Sequence, residues 1–165
     1  MAFDGFLFMT GILGESTDSK YPGWVEIISF KHEASQPGGS ATSRAGGRTS
    51  QRVDVRDFFI NKVIDKSSPV LFKYLCTGQH IDKVQVDLCE AGGDKVCYMR
   101  YTFQHCIVSA VKASGTANEQ IFVRPIEEVS FNAGNMTEEY VPMTHEGKPG
   151  AALRAGWSME LNKEM

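Results

Sequence analysis

Lys83-Val84-Gln85-Val86-Asp87-Leu88 alternates polar and apolar residues, with Val84, Val86 and Leu88 on one face. A period of two is the side-chain period of a β-strand. Ala91-Gly92-Gly93-Asp94 then supplies a turn, and the chain returns through a run from Lys95 to Ala113 rich in Val, Tyr, Phe and Thr. Strands favour those residues because they fit a pleated, half-buried surface. Working outward from this hairpin, the same signature recurs at Phe6–Met9, Trp24–Phe30 and Gln51–Phe58, and again at Glu119–Phe131 and Gly156–Leu161. Several strands joined by Gly, Asn and Ser turns predict a sandwich or a barrel.

Two segments depart from that pattern. Ser68 is a suitable N-cap, Pro69 suits the first helical position and Gly78 suits the residue after a helix. Leu71, Phe72 and Leu75 lie between them at helical spacing, so a helix is expected over about 68–77. At two to three turns it is too short to be stable alone and must dock on a sheet. The second departure is a Gly/Ser-rich stretch over about 34–50, which carries Arg44 and Arg48 with Arg52 close behind and no acid after Glu33. Long loops inside a compact chain are commonly functional or disordered. A basic loop on a more acidic body suits docking on the acidic face of another copy, and it equally suits a plain solvated loop.

The 165 residues carry a net charge of −3 with 42% hydrophobic residues, enough for one core and ordinary for one globular domain spanning 1–165. That balance argues against nucleic acid or an anionic membrane as partner. No run approaches the roughly 20 apolar residues that cross a bilayer, and the N-terminus lacks a basic, cleavable leader. The expectation is a chain made in the cytoplasm, without direct membrane insertion and with no module appended at its C-terminus. Cys76, Cys89, Cys97 and Cys106 form no CxxC pair, and His32, His80, His105 and His145 lack zinc-ligand spacing. No metal or other cofactor is implied. Cys89 and Cys97 flank the turn, where a disulfide is sterically conceivable, but four half-buried free thiols in a reducing cytosol are the preferred reading.

The motifs of covalent chemistry are missing from the sequence: no nucleophile elbow, phosphate loop, dinucleotide fingerprint or H-E-x-x-H. Glu127-Glu128 and Glu138-Glu139 are adjacent, so on strands they point to opposite faces and read as exposed charges that keep strands soluble. His105, inside an apolar run, reads as a hydrogen-bonded wall residue. No enzyme is expected.

Several stretches, in order and over nearly the whole chain, resemble the haemolysin-coregulated protein (Hcp) family, the tube protein of type VI secretion systems. Met1-Ala2-Phe3-Asp4 followed by Gly11-Ile12-Leu13-Gly14-Glu15-Ser16 resembles its first strand and G-x-x-G-E-S turn. Trp24–Phe30 and then Ser35-Gln36 resemble its second strand and the start of a long loop. Asp65-Lys66-Ser67-Ser68-Pro69-Val70-Leu71 resembles D-K-x-S-P-x-L at the start of its single helix. Ala91-Gly92-Gly93 resembles its hairpin turn, and Gly156-Trp157 through Asn162 its closing strand.

The resemblance implies a mainly β fold, a small β-barrel of two antiparallel sheets with one short helix. It implies a homohexameric ring, stacked into a tube that works with sheath and spike proteins and carries effector proteins in its lumen. It also implies export from the bacterial cytoplasm without a cleavable signal peptide. The loop with Arg44, Arg48 and Arg52 is then expected to reach the adjacent ring. Ser29 and Lys31 are expected to face the lumen, where the charge of Lys31 is a departure from a small or uncharged residue. The reading from another class is a monomeric β-sandwich binding a small ligand such as a sugar. A hydrolase with a dispersed site ranks third.

Overall fold

The computed structural model describes residues 3–37, 52–92, 95–117 and 124–165. Arg44, Arg48 and Gly93 lie outside them. Ten strands and one helix follow in the order β1 (Phe3–Met9), β2 (Val25–Lys31), β3 (Ala34–Ser35), β4 (Asp54–Val55), β5 (Phe58–Val63), α1 (Ser68–Thr77), β6 (Ile81–Glu90), β7 (Cys97–Ser114), β8 (Ile126–Tyr140), β9 (Leu153–Ser158) and β10 (Lys163–Glu164). The larger sheet runs β10-β9-β8-β5-β2-β1-β6-β7, and β7 also pairs with β8. That last pairing closes β8, β5, β2, β1, β6 and β7 into a six-stranded barrel. Closure removes the free edges of those strands. It leaves β9 and β10 as an extension and β3–β4 as a small second sheet. All pairings are antiparallel, as expected of the barrel.

The barrel interior is filled from alternate positions: Leu7 and Met9, Val25 and Ile27, Phe58 and Ile60, Val84 and Val86, Phe103, Val129 and Phe131. Some expected boundaries move. The alternation expected over 51–58 divides into the two-residue β4 and the longer β5, which begins at Phe58. The strand expected to end at Phe131 continues to Tyr140, because its second half gains a partner in β9. The Gly/Ser loop starts later than 34, since Ala34 and Ser35 pair with β4.

The helix spans 68–77 and ends on Gly78, whose φ of 63° is the left-handed conformation that glycine adopts without strain. Its N-cap is Ser67, not Ser68, and Ser67 makes no side-chain cap bond. Leu71 is fully buried and Val70, Tyr74 and Leu75 pack against the same core, while Phe72 points outward at 61% exposure.

Candidate functional site

Two sequence stretches far apart in the chain meet at the foot of α1. Lys62 on β5 faces Glu127 on β8 across the sheet. Lys62 is wholly buried and its ammonium lies 2.8 Å from both Glu127 Oε2 and Asp65 Oδ1. It also donates to Ser68 Oγ at 2.9 Å. Ser68 Oγ accepts the Asp65 N–H at 3.1 Å and donates to Glu127 Oε2 at 2.8 Å, which is why it is not free to cap the helix. Asp65 in turn accepts the N–H and hydroxyl of Ser67. The Lys66 N–H donates to Glu15 Oε1 at 3.1 Å, and Glu15 Oε2 sits 3.8 Å from Arg124. The stretches Gly11–Ser16 and Asp65–Pro69 are therefore one assembly. Glu127 is not an exposed solubilising charge. It occupies the inward phase of β8 with Val129 and Phe131, and its buried partner is Lys62. Glu128, one residue on, pairs with Lys112 at the surface, as opposite faces require.

Gly14 locks the same assembly to the barrel. Its N–H donates to the Gly23 carbonyl at 2.8 Å, and Ser16 N–H to the Trp24 carbonyl at 2.9 Å. A Cβ on Gly14 would strike the Trp24 carbonyl and approach Val25 Cα to 2.6 Å. The segment that follows folds back over the outer face of β6. Tyr21 stacks on Phe6 at 4.2 Å and 7°, and its hydroxyl donates to Asp87 Oδ2 at 3.2 Å. Asp87, 1% exposed, also takes both arms of Arg100 at 2.8 Å and the amide of Gln85 at 2.9 Å. Strand β6 is thus buried on both faces, one apolar and one polar.

A concavity of about 710 Å³ lies on another flank, between β3, β4 and β9. Ala34, Val55, Met136, Trp157 and Met159 make its walls largely apolar. Among the described residues, three buried side-chain polar atoms have no hydrogen-bond partner, and two of them, His32 Nε2 and Trp157 Nε1, belong to residues lining this groove. Burial holds the His32 imidazole below its usual pKa, against the pull of Glu138, whose carboxylate is 3.8 Å away. Leu153, Arg154 and Ala155 of β9 are successive exposed residues, so both faces of that stretch are open.

The other expected positions distribute as follows. Arg52 lines the groove and donates to the Met159 carbonyl. Ser29 accepts the Asn61 amide at 3.0 Å, and Lys31 is exposed and lines a smaller hollow with Glu33, Asp57 and Asn132. Gly92 begins the hairpin turn at φ 121°. His105 is not a wall residue of the interior. Gln104 and His105 both face outward, the chain passing through φ 53° at His105, and its Nδ1 lies 3.2 Å from Glu160. The cysteines are free; Cys89 and Cys106 are buried, Cys97 half-buried and Cys76 exposed, which corrects the expectation of four half-buried thiols. Among the described residues no group of three or more His, Cys, Asp or Glu is arranged to hold a metal ion, and no helix is long and apolar enough to cross a membrane.

Sequence reasoning missed Lys62 and Asp87. The signal for Lys62 is its phase: it follows Phe58 and Ile60 at a spacing of two, and Glu127 precedes Val129 and Phe131 in the same way. A cation and an anion both in the inward phase are a buried pair.

A family described as "Type VI secretion system effector, Hcp" matches residues 6–140. Protein hcp1 of Pseudomonas aeruginosa PAO1 is 29% identical over 164 residues, covering 98% of each chain. Among solved structures, one described as a type six secretion system protein superposes with a TM-score of 0.92 at 30% identity, over 99% of this chain and 100% of its own. Hcp1 from Salmonella typhimurium gives 0.81 at 32% identity over the whole of both chains.

Proposed function

Because the chain belongs to the Hcp family of type VI secretion proteins, we propose that it is a tube subunit, acting as a single domain over 1–165. Six copies close into a ring, rings stack into a hollow tube inside a sheath behind a spike, and effector proteins travel in the lumen. The tube assembles in the cytoplasm and is then expelled without a cleaved leader. Its work is recognition and enclosure, with no covalent chemistry asked of any residue.

The observation that carries this reading is the groove beside β9. A closed barrel hides its strand edges, yet here an apolar concavity of about 710 Å³ is bordered by a strand open on both faces. Buried donors or acceptors without partners are disfavoured by about 1–3 kcal/mol each. His32 Nε2 and Trp157 Nε1, both buried and without partners, therefore make this wall a costly feature of the lone subunit. A second and different surface is available on β2, where Ile28 stands 51% exposed beside Glu15 and Arg124. Head-to-tail rings need two such unlike surfaces.

The test is the mass in solution together with Ala155→Arg, which places a long cation in the groove from an exposed position. Wild type should run near six times 18.2 kDa and the variant near 18.2 kDa with an unchanged circular dichroism spectrum. A monomeric wild type refutes the ring, and the groove would then be a ligand pocket to be tested with sugars. For stacking, Arg44 and Arg48 are the proposed contacts with the adjacent ring; reversing both charges should leave rings intact and shorten tubes. Lys31, if it lines the lumen, disfavours basic cargo.

A further inference from the structure

Cys89 and Cys97 are direct cross-strand partners in the β6–β7 hairpin. The neighbouring Glu90 N–H donates to the Val96 carbonyl at 3.0 Å. Positions 90 and 96 thus form the hydrogen-bonded pair, and 89 and 97, one step on, the non-bonded one. Such partners have Cα atoms about 4.5 Å apart, within the span of a disulfide. The ladder shifts register beside Cys89, which adds local twist. Cys97 Sγ donates to the Met99 carbonyl at 3.5 Å. Cys89 is wholly covered by Tyr21 and its neighbours, while Cys97 is partly open to solvent. The Tyr21 hydroxyl sits 3.2 Å from Cys89 Sγ. The neighbouring Cys97, against desolvation, draws the Cys89 thiol down to about 7. Cys106, not this pair, belongs to the main core; Cys89 lies in the smaller cluster with Phe6 and Tyr21, and Cys97 packs against it.

We propose that Cys89 and Cys97 are a redox lock, an open dithiol in a reducing compartment that closes to an intrachain disulfide on meeting a small-molecule disulfide oxidant. Closure itself stands on the hairpin. Only its timing, after expulsion, rests on the tube reading. Cys97, the thiol open to solvent, gives its proton to water, and its thiolate attacks one sulfur of the oxidant RSSR, expelling RS⁻. Cys89, once deprotonated, attacks Cys97 Sγ and expels the second RS⁻. The protein gives up two protons and two electrons; the oxidant takes both and leaves as two RSH. The more exposed sulfur meets the oxidant and the buried one resolves it, as the burial of the pair dictates. The closed loop runs from 89 to 97 and ties the hairpin at its tip, so the unfolded chain loses freedom.

The test uses the full chain with Cys76→Ser, which removes the exposed competing thiol, incubated with glutathione disulfide, trapped by alkylation and mapped by peptide mass spectrometry. The folded protein should lose two hydrogens, yield a peptide joining Cys89 to Cys97, and melt about 5 °C or more above its reduced form. Adding Cys97→Ser should abolish both changes. A lasting glutathione adduct on Cys97, or two thiols that stay free until the protein is denatured, overturns the lock. Either result leaves rings and tubes untouched; a disulfide that forms in a chain with no rings would instead remove the tube reading and keep the lock.

Discussion

Replacing Lys62 with methionine tests the strut that joins α1 to the barrel. Methionine keeps most of the stem volume, so little cavity is made and the change is mainly electrostatic. The ammonium lost lies 2.8 Å from Glu127 and from Asp65, with Ser68 Oγ at 2.9 Å and the Val63 carbonyl at 3.2 Å. The cluster then passes from one uncompensated negative charge to two, with Glu127 only 4% exposed. Removing one member of a buried pair is worth about 3–5 kcal/mol of stability. With a urea slope of about 2 kcal/mol per molar for a chain this size, the midpoint should fall by about 1.5–2.5 M. Glu127→Met alone leaves Lys62 the carboxylate of Asp65 and should cost less. The double variant, an apolar pair across β5 and β8, should recover most of the loss, with a coupling of at least about 2 kcal/mol. Urea titrations must use one protein concentration, because any association adds stability by mass action. A Lys62→Met midpoint within about 0.3 M of wild type, or single effects that simply add, would refute the strut.

Gly14→Ala should lower stability by about 3 kcal/mol or more, since the added methyl meets backbone at Trp24 and Val25 and nothing there can rotate away; an unchanged urea midpoint would show that the Gly11–Ser16 turn is looser than its hydrogen bonds imply. His32 makes stability depend on pH. Its folded pKa lies below the ordinary 6.5, so the unfolded chain binds the proton first and stability falls as pH drops from about 6.5 toward the lower folded value. His32→Asn should flatten the stability curve there by up to one proton, and an identical slope in both proteins would contradict the assigned burial.

The barrel's strands are legible because half-buried strands carry their period openly: β1, β2, β6 and β7 stand where alternation puts them. The second half of β8 is not legible. Asn132, Ala133, Gly134 and Asn135 are poor strand formers; Asn132, Ala133 and Asn135 are held extended by pairing with β7, the Gly134 carbonyl accepts the Met159 N–H, and β9 joins from Asn135 onward. Strand propensity was overruled by neighbours distant in sequence. The helix is legible at its end, where Gly78 must take a positive φ, and misread at its start, where Ser68 is engaged by Lys62 and Glu127. Asp87 is hidden for a similar reason. A polar residue in the outward phase of β6 reads as solvent-facing until Tyr21 and Arg100 are brought onto it. The groove beside β9 is invisible in one dimension because β3, β4 and β8 supply its walls from separate parts of the chain.

Both polar struts fix what lies outside the barrel. Lys62 holds the foot of α1, and Asp87 holds Tyr21 and Arg100 against β6. A barrel packed with Val, Ile and Phe can be stable with many arrangements of its outer segments. Buried charges cannot, because each leaves an unpaired partner when displaced. In the proposed ring, where every copy would have to present the same two surfaces, that intolerance would be useful. A small tilt repeated at each interface prevents closure, so rigidity of the outer segments matters more than total stability. The consequence is specific to position. Apolar substitutions in the interior should reduce stability while rings still close, whereas losing the Asp87–Arg100 contact should disturb assembly in chains that remain folded.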